Sequence, residues 1–113
     1  MESTRQSKVS KQLQKDLGEL MQSIGTGIVP GKMISVTTVR ISPDLGLAKV
    51  YLSVFPSTDA KEAVKAIDAK AATFRYELGK RVRNQLRVTP ELHFYLDDSL
   101  DYVENIENLL LHF

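Results

Sequence analysis

The most regular hydrophobic pattern in this 113-residue chain lies between residues 63 and 82. Six apolar residues recur there at intervals of three or four: Ala63, Ile67, Ala71, Phe74, Leu78 and Val82. This spacing predicts an apolar stripe along a long helix from about Ala60 to Leu86, with Phe74 and Leu78 as its largest core residues. Asp68 and Thr73 are poor formers of a helix interior, so a break is expected between them.

Two segments of alternating apolar and polar residues precede this helix. Residues 34–41 and 47–55 are rich in β-branched residues and predict two strands, joined by the turn sequence Ser42–Gly46. A short turn containing Pro and Gly predicts an antiparallel hairpin, with Gly46 accepting a positive φ. In the first strand, Ile34, Val36 and Thr38 are expected on one face. In the second, one face is expected to carry Ala48, Val50, Leu52 and Val54.

Helical spacing also marks both ends of the chain. Residues 4–24 predict a first helix that ends at Gly25 and Gly27, and residues 102–110 predict a short last helix with an acidic outer face. Residues 92–96 predict a third strand after Pro90.

The result is a single α+β domain over residues 1–113: helix, two strands, broken helix, strand and short helix, with a three-stranded sheet covered by helices on one face. The other face is either solvated or a docking surface.

Charge is distributed unevenly along the chain. The net charge of +1 combines +2 over residues 1–60, +5 over residues 61–87 and −6 over residues 88–113. Because the apolar stripe must face the sheet, the cations of the long helix are expected to point outward. A dense local group of Lys and Arg binds phosphates without reading sequence, so the helix is a candidate RNA-binding surface. The alternative is an ordinary solvated charged face.

The candidate RNA-binding residues form two groups. The first lies on and just beyond the second half of the long helix: Arg75, Lys80, Arg81, Arg83 and Arg87. The second joins the first half of that helix to the N-terminal helix: Lys65, Lys70, Arg5, Lys8 and Lys11.

No catalytic or metal-binding pattern stands out. The chain has no Cys and only two His, His93 and His112, so neither a disulfide framework nor a compact His/Cys metal site is expected. Asp97, Asp98 and Asp101 form the one carboxylate cluster, and their place before a predicted helix favours capping over hydrolysis. The absence of any nucleophile–base or metal constellation predicts a protein without enzymatic activity, metal ions or cofactors. A polar start without a secretion signal, and no apolar run of membrane-spanning length, predict a cytoplasmic location.

Three segments resemble the bacterial ribosome-binding factor A family: SVTTVRISPDLGLAKVYLSVF (35–55), FRYELGKRV (74–82) and LRVTPELHFYLDDS (86–99). With a looser fit of the N-terminal helix, the resemblance covers nearly the whole chain. The matching residues are Ser35, Val36, Val39, Ser42, Asp44, Leu45, Ala48, Lys49, Val50, Tyr51, Ser53, Arg75, Leu78, Gly79, Lys80, Leu86, Arg87, Pro90, Glu91, Leu92, Phe94, Asp97 and Ser99.

This resemblance implies a KH-like fold of type II and a non-catalytic assembly factor. Such proteins bind the small (30S) ribosomal subunit, assist late maturation of its 16S rRNA and support growth in the cold; a monomer is expected. The family carries Ala-x-Gly at the helix break, whereas this chain has Lys70-Ala71-Ala72, so persistence of the break is an open question. The nucleotide-clamping G-x-x-G of ordinary KH domains is absent. The competing hypothesis is a small adaptor whose acidic C-terminal segment binds a basic protein.

Overall fold

A computed structural model describes residues 4–86 and 88–97 of the chain. The predicted C-terminal helix lies outside these residues. The elements, in order, are helix α1 (Thr4–Leu20), a π-helical turn (Met21–Gly25), the short helix α2 (Thr26–Ile28), strands β1 (Met33–Ile41) and β2 (Leu47–Phe55), helices α3 (Ala60–Asp68) and α4 (Ala71–Val82), and strand β3 (Glu91–Leu96).

The three strands form one mixed sheet in the order β1-β2-β3. β1 and β2 are antiparallel, and β3 lies parallel to β2 on its other side. The α+β class, the hairpin and the three-stranded mixed sheet are thus confirmed. The buried side chains of β2 are Ala48, Val50, Leu52 and Val54, the predicted set.

The hairpin turn is held by side-chain hydrogen bonds. The Ser42 hydroxyl donates to the Asp44 carboxylate (2.6 Å) and accepts from the Leu47 amide (3.0 Å), while the Gly46 amide also donates to Asp44 (3.0 Å). The hydrogen bond from Ser42, followed by that from Gly46, lowers the pKa of Asp44 below its ordinary value. The positive φ falls on Leu45, at 62°, and not on Gly46 as expected.

A β-bulge in β1 changes which of its residues face the core. The pairing register shifts between Val36 and Thr38, leaving Thr37 as the extra residue. Ile34 is buried before the bulge, and Val39 and Ile41 are buried after it. The expected common face of Ile34, Val36 and Thr38 is therefore wrong beyond Thr37, because the extra residue reverses the alternation.

One hydrophobic core joins the sheet to the helices. The stripe predicted for the long helix is buried at Ala63, Ile67, Phe74, Leu78 and Val82, with Ala71 partly buried against the same cluster. The Phe74 ring contacts the ring of Phe94 on β3, with 5.3 Å between centroids. Helix α1 and the turn after it contribute their own apolar face to the core: Leu13, Leu17, Leu20 and Met21.

The predicted break lies at Ala69 and Lys70, between α3 and α4. Lys70 has φ −105° and ψ 20°, a conformation that does not require glycine, so the break persists without the family's Ala-x-Gly. Asp68, the last residue of α3, connects this helix to the sheet. Its carboxylate accepts a hydrogen bond from the Phe94 amide (3.0 Å) at the outer edge of β3.

Two helix boundaries differ from expectation. The first helix continues through Gly25 as a π-helical turn and ends after Ile28, where Val29 precedes Pro30. A Cβ on Gly25 would lie only 2.7 Å from Met21 Sδ, so this glycine serves close packing within the helix instead of ending it. The second difference is that α4 ends at Val82, not Leu86, because the chain turns over residues 83–85 to reach β3.

The depth of Phe74 and Leu78 in the core leads to a test. Both side chains are fully buried, so Phe74→Ala should reduce the free energy of unfolding by about 3–5 kcal/mol and Leu78→Ala by about 2–5 kcal/mol. Thr73→Ala, at an exposed position of the same helix, should change it by less than about 0.5 kcal/mol. Urea denaturation followed by circular dichroism measures all three. A loss below about 1 kcal/mol at both core positions would contradict this packing.

Candidate nucleic-acid interface

An open groove of about 670 Å³ runs along the solvent side of α4. Residues 72, 75, 76, 79, 80 and 83 line it, at intervals that keep them on one side of a helix, opposite Phe74, Leu78 and Val82. Thr89 forms the facing wall. Three of the predicted cations thus meet in one place, which we call the basic groove: Arg75, Lys80 and Arg83.

Gly79 allows the groove's two walls to approach each other. A Cβ at this position would lie 3.0 Å from Thr89 Oγ1, a contact that requires the threonine to shift. A glycine inside a helix therefore coincides here with a close neighbour. Within the described structure that neighbour is the Thr89 side chain, in the segment before β3.

Arg75 organises that same segment. Its Nη2 donates to the Thr89 carbonyl at 2.9 Å, and its Nε lies 3.3 Å from the carbonyls of both Thr89 and Pro90. These hydrogen bonds connect α4 to the start of β3. Arg75 is consequently a positioning residue for the groove wall, with its charge still at an exposed surface.

Lys80 is held beside an exposed aromatic ring. Its Nζ lies 4.6 Å from the centre of the Tyr76 ring and 3.5 Å from the Glu77 carboxylate. Tyr76 is 66% exposed and is not one of the residues predicted for this surface. Its position one residue after Arg75 and four before Lys80, off the apolar stripe, was the available signal. The groove therefore pairs cations with a ring, a combination that suits nucleotides.

Arg81 is not directed to the groove. Its guanidinium forms ion pairs with Glu19 and, at 3.7 Å, with Asp16, both on α1. The hydrogen bond that Arg81 donates to Glu19, followed by the charges of both carboxylates, raises the pKa of Arg81 above its ordinary value. Because α1 and α4 pack side by side here, Arg81 links the two helices and has part of its charge neutralised.

Arg83 is the least constrained cation of the groove. It is exposed in the turn after α4, and none of the ion pairs found within residues 4–86 and 88–97 involves it. Arg87, also predicted to bind RNA, lies outside the described residues.

The second predicted group is spread over several surfaces. Lys8 lines a separate cleft of about 230 Å³ with Val82, Gln85 and Leu86, beside the turn that carries Arg83. Lys11 lines another, between α1 and β1, together with Lys15. Arg5 is exposed at the start of α1; Lys65 and Lys70 are exposed on α3 and at the helix break.

The acidic residues give no sign of a metal centre. Within the described part of the chain, no three His, Cys, Asp or Glu side chains are grouped so as to hold a metal ion. The Asp97 carboxylate accepts a hydrogen bond from the Thr37 hydroxyl, while Asp98 and Asp101 lie outside the described residues. His93 is partly exposed, and its Nε2 lies 3.3 Å from the Glu91 carboxylate. In the same part of the chain every helix is too short or too polar to cross a bilayer.

Comparison with known proteins identifies the class of this small α+β domain. The family model for ribosome-binding factor A matches residues 5–110. A ribosome-binding factor A of Flavobacterium psychrophilum is 45% identical over 111 residues, covering 97% of this chain and 85% of the relative. The chain belongs to the ribosome-binding factor A family.

Solved structures agree with the fold. The crystal structure of ribosome-binding factor A from Thermus thermophilus aligns with a TM-score of 0.69 at 24% identity, covering 80% of this chain and 94% of that one. A second similar structure is a homology model of the Thermus thermophilus protein, fitted into a cryo-electron microscopy map of its 30S complex. It aligns with a TM-score of 0.62 at 26% identity and covers 79% of this chain and 91% of that one.

The different contacts of Arg75 and Arg83 predict different consequences of their removal. Arg75→Ala should lower the free energy of unfolding by about 1–2 kcal/mol, because it leaves the Thr89 and Pro90 carbonyls without their charged donor. Arg83→Ala should change it by less than about 0.5 kcal/mol. Urea denaturation provides both values. Equal losses for the two variants would contradict the assignment of Arg75 as a positioning residue.

Proposed function

We propose that this chain binds the small (30S) ribosomal subunit through RNA phosphates in the basic groove and assists late maturation of 16S rRNA. Family membership supports a ribosome-binding factor. The fitted 30S complex of the Thermus thermophilus protein supports the small subunit as the partner. The order of helices and strands is compatible with a KH-like domain of type II.

The observation that carries the RNA contact is the convergence of Arg75, Lys80 and Arg83 on one groove beside Tyr76. Apolar burial on the opposite side of α4 fixes these cations toward solvent. Phosphate contacts of this kind supply affinity and orientation without reading the base sequence. In this proposal the protein acts as a monomer in the cytoplasm and positions RNA without cleaving it, needing neither metal nor cofactor.

The contacts also rank the candidate residues. Lys80 and Arg83 are the cations most available to phosphates, because Lys80 pairs with Glu77 only at 3.5 Å and at an exposed position, and no ion pair of the described residues involves Arg83. Arg75 instead donates to backbone carbonyls, and Arg81 pairs with Glu19. Lys8 extends the basic surface from the Arg83 turn toward α1. Reversing the charge of Arg81 would bring a third carboxylate close to Asp16 and Glu19 and would destabilise the fold. A variant that includes Arg81→Glu could therefore lose binding because it unfolds, and not because a phosphate contact is lost.

The proposal is tested by neutralising Lys80 and Arg83 together. Lys80→Gln with Arg83→Gln should weaken binding to isolated small subunits and lower the magnitude of the slope of log K against log salt by about 0.7–0.9 per lost contact. Lys61→Gln, at an exposed position of α3, is the matched control and should bind as the wild type does. Binding is measured by sedimentation at several salt concentrations.

Folding is checked in parallel by circular dichroism melts of each variant. If the folded double variant binds with wild-type affinity and slope, the basic groove is a solvated surface. If deletion of residues 98–113 abolishes binding while the double variant binds normally, the adaptor hypothesis gains the support that the RNA contact loses.

A further inference from the structure

The sheet has an outer face that none of the described helices covers. The helices pack on the opposite face, where the buried side chains of all three strands lie. The strand pairings place the following residues on the outer face, in rows across the sheet: Ser35 and Ser53; Thr38, Tyr51 and Tyr95; Arg40, Lys49 and His93; Leu47 and Glu91.

Two tyrosines form the centre of this face. Tyr51 on β2 and Tyr95 on β3 are direct partners across the parallel pair, with ring centroids 5.6 Å apart and planes inclined by 31°. Tyr95 is 42% exposed and Tyr51 is partly exposed. Phe55, 70% exposed, lies on the same face of β2 two rows further on, beside Met33. Exposed rings on neighbouring strands can receive nucleobases by stacking.

Two cations lie next to the tyrosines. Arg40 and Lys49 are direct partners across β1 and β2, and the row ends on β3 at His93, which lies 3.3 Å from the Glu91 carboxylate. Like charges placed opposite each other destabilise a sheet. Both Arg40 and Lys49 are exposed, and the ion pairs found within residues 4–86 and 88–97 include neither. An anion bound along this row would relieve their repulsion.

We propose that the outer sheet face binds a single-stranded segment of RNA. Its bases would stack on Tyr51 and Tyr95, and its phosphates would lie along Arg40 and Lys49. The rows are about 6.6–6.8 Å apart, two residues along a strand, so one nucleotide can contact both. This inference rests on the proposed function only in taking RNA as the partner. It adds a second RNA contact, on the face of the sheet opposite the helices. The basic groove lies on the helix side.

The cations of the face favour RNA over a protein. Interfaces between proteins are depleted of lysine, whereas here Lys49 lies directly beside the aromatic pair and opposite Arg40, and neither forms an ion pair within the described residues. Single-stranded RNA offers what each row lacks: phosphates for the cations and flat apolar surfaces for the rings.

The test is binding of the full-length chain to a fluorescently labelled eight-nucleotide oligouridylate, measured by anisotropy. Tyr51→Leu with Tyr95→Leu should weaken binding at least about tenfold, because stacking on each ring is lost. Tyr51→Phe with Tyr95→Phe keeps the rings and should bind within about twofold of the wild type. Arg40→Gln with Lys49→Gln should lower the magnitude of the salt slope by about 1.4.

An abasic ribose-phosphate octamer is the control for charge. It should bind the wild type more weakly than the oligouridylate does, and should bind the leucine variant as it binds the wild type. Equal affinity of the wild type for both oligomers would overturn the proposal. So would a leucine variant with wild-type affinity; if its melting temperature also falls sharply, the rings are covered by another part of the chain or by a protein surface.

The basic-groove proposal and the outer-face proposal can be refuted independently. If the basic-groove proposal is wrong, Lys80→Gln with Arg83→Gln binds small subunits normally, while the leucine variant still loses the oligouridylate. If the outer-face inference is wrong, the leucine variant retains the oligouridylate whatever the basic-groove variant does.

Discussion

The contact between Phe74 and Phe94 is the one on which the rest of the domain depends. It packs α4 on β3, one of the two edge strands of the sheet, and it lies at the centre of a stripe that continues into α3 and along the full length of α4. Burying that stripe determines where every polar residue of the two helices can point. The cations of α4 face solvent because their neighbours on the other side of the helix are in the core.

The basic residues of α4 serve two physical purposes. Arg75 and Arg81 stabilise the fold: the first holds the Thr89 and Pro90 carbonyls, and the second joins α4 to Asp16 and Glu19 of α1. Lys80 and Arg83 carry charge that the described contacts leave largely available. Some cations of this helix therefore stabilise the fold, and others are available to bind a ligand. The hydrogen-bond and ion-pair partners of each cation show to which group it belongs.

Much of the fold could be predicted from the sequence because it follows local periodicity. The helical stripe, the alternation of β2 and the hairpin turn each depend on residues near one another in the chain, and the structure confirms them. The β1 bulge was not predictable in this way. Alternation alone puts Thr38 with Ile34, whereas the need to bury Val39 and Ile41 on the sheet requires an extra residue at Thr37.

The candidate site was predicted less completely, since its geometry depends on long-range contacts. Arg81 and Glu19 are 62 residues apart, and nothing local to Arg81 reveals its partner. Asp68 was predicted only as a poor helix former. Its carboxylate in fact accepts a hydrogen bond from the backbone amide of Phe94 on β3, 26 residues later. Gly79 is an unusual residue inside a helix, and its neighbour is Thr89 in the segment before β3. In each case the residue type indicated a special role, and only the packing identified it.

We proposed that the solvent side of α4 docks on the small subunit. Covalent labelling of lysines, read by mass spectrometry in the free chain and in its complex with small subunits, tests this docking. We expect Lys80 to lose most of its reactivity on binding, while Lys61 keeps it. If Lys80 in the complex keeps the reactivity that it has in the free chain, as Lys61 does, α4 does not face the ribosome.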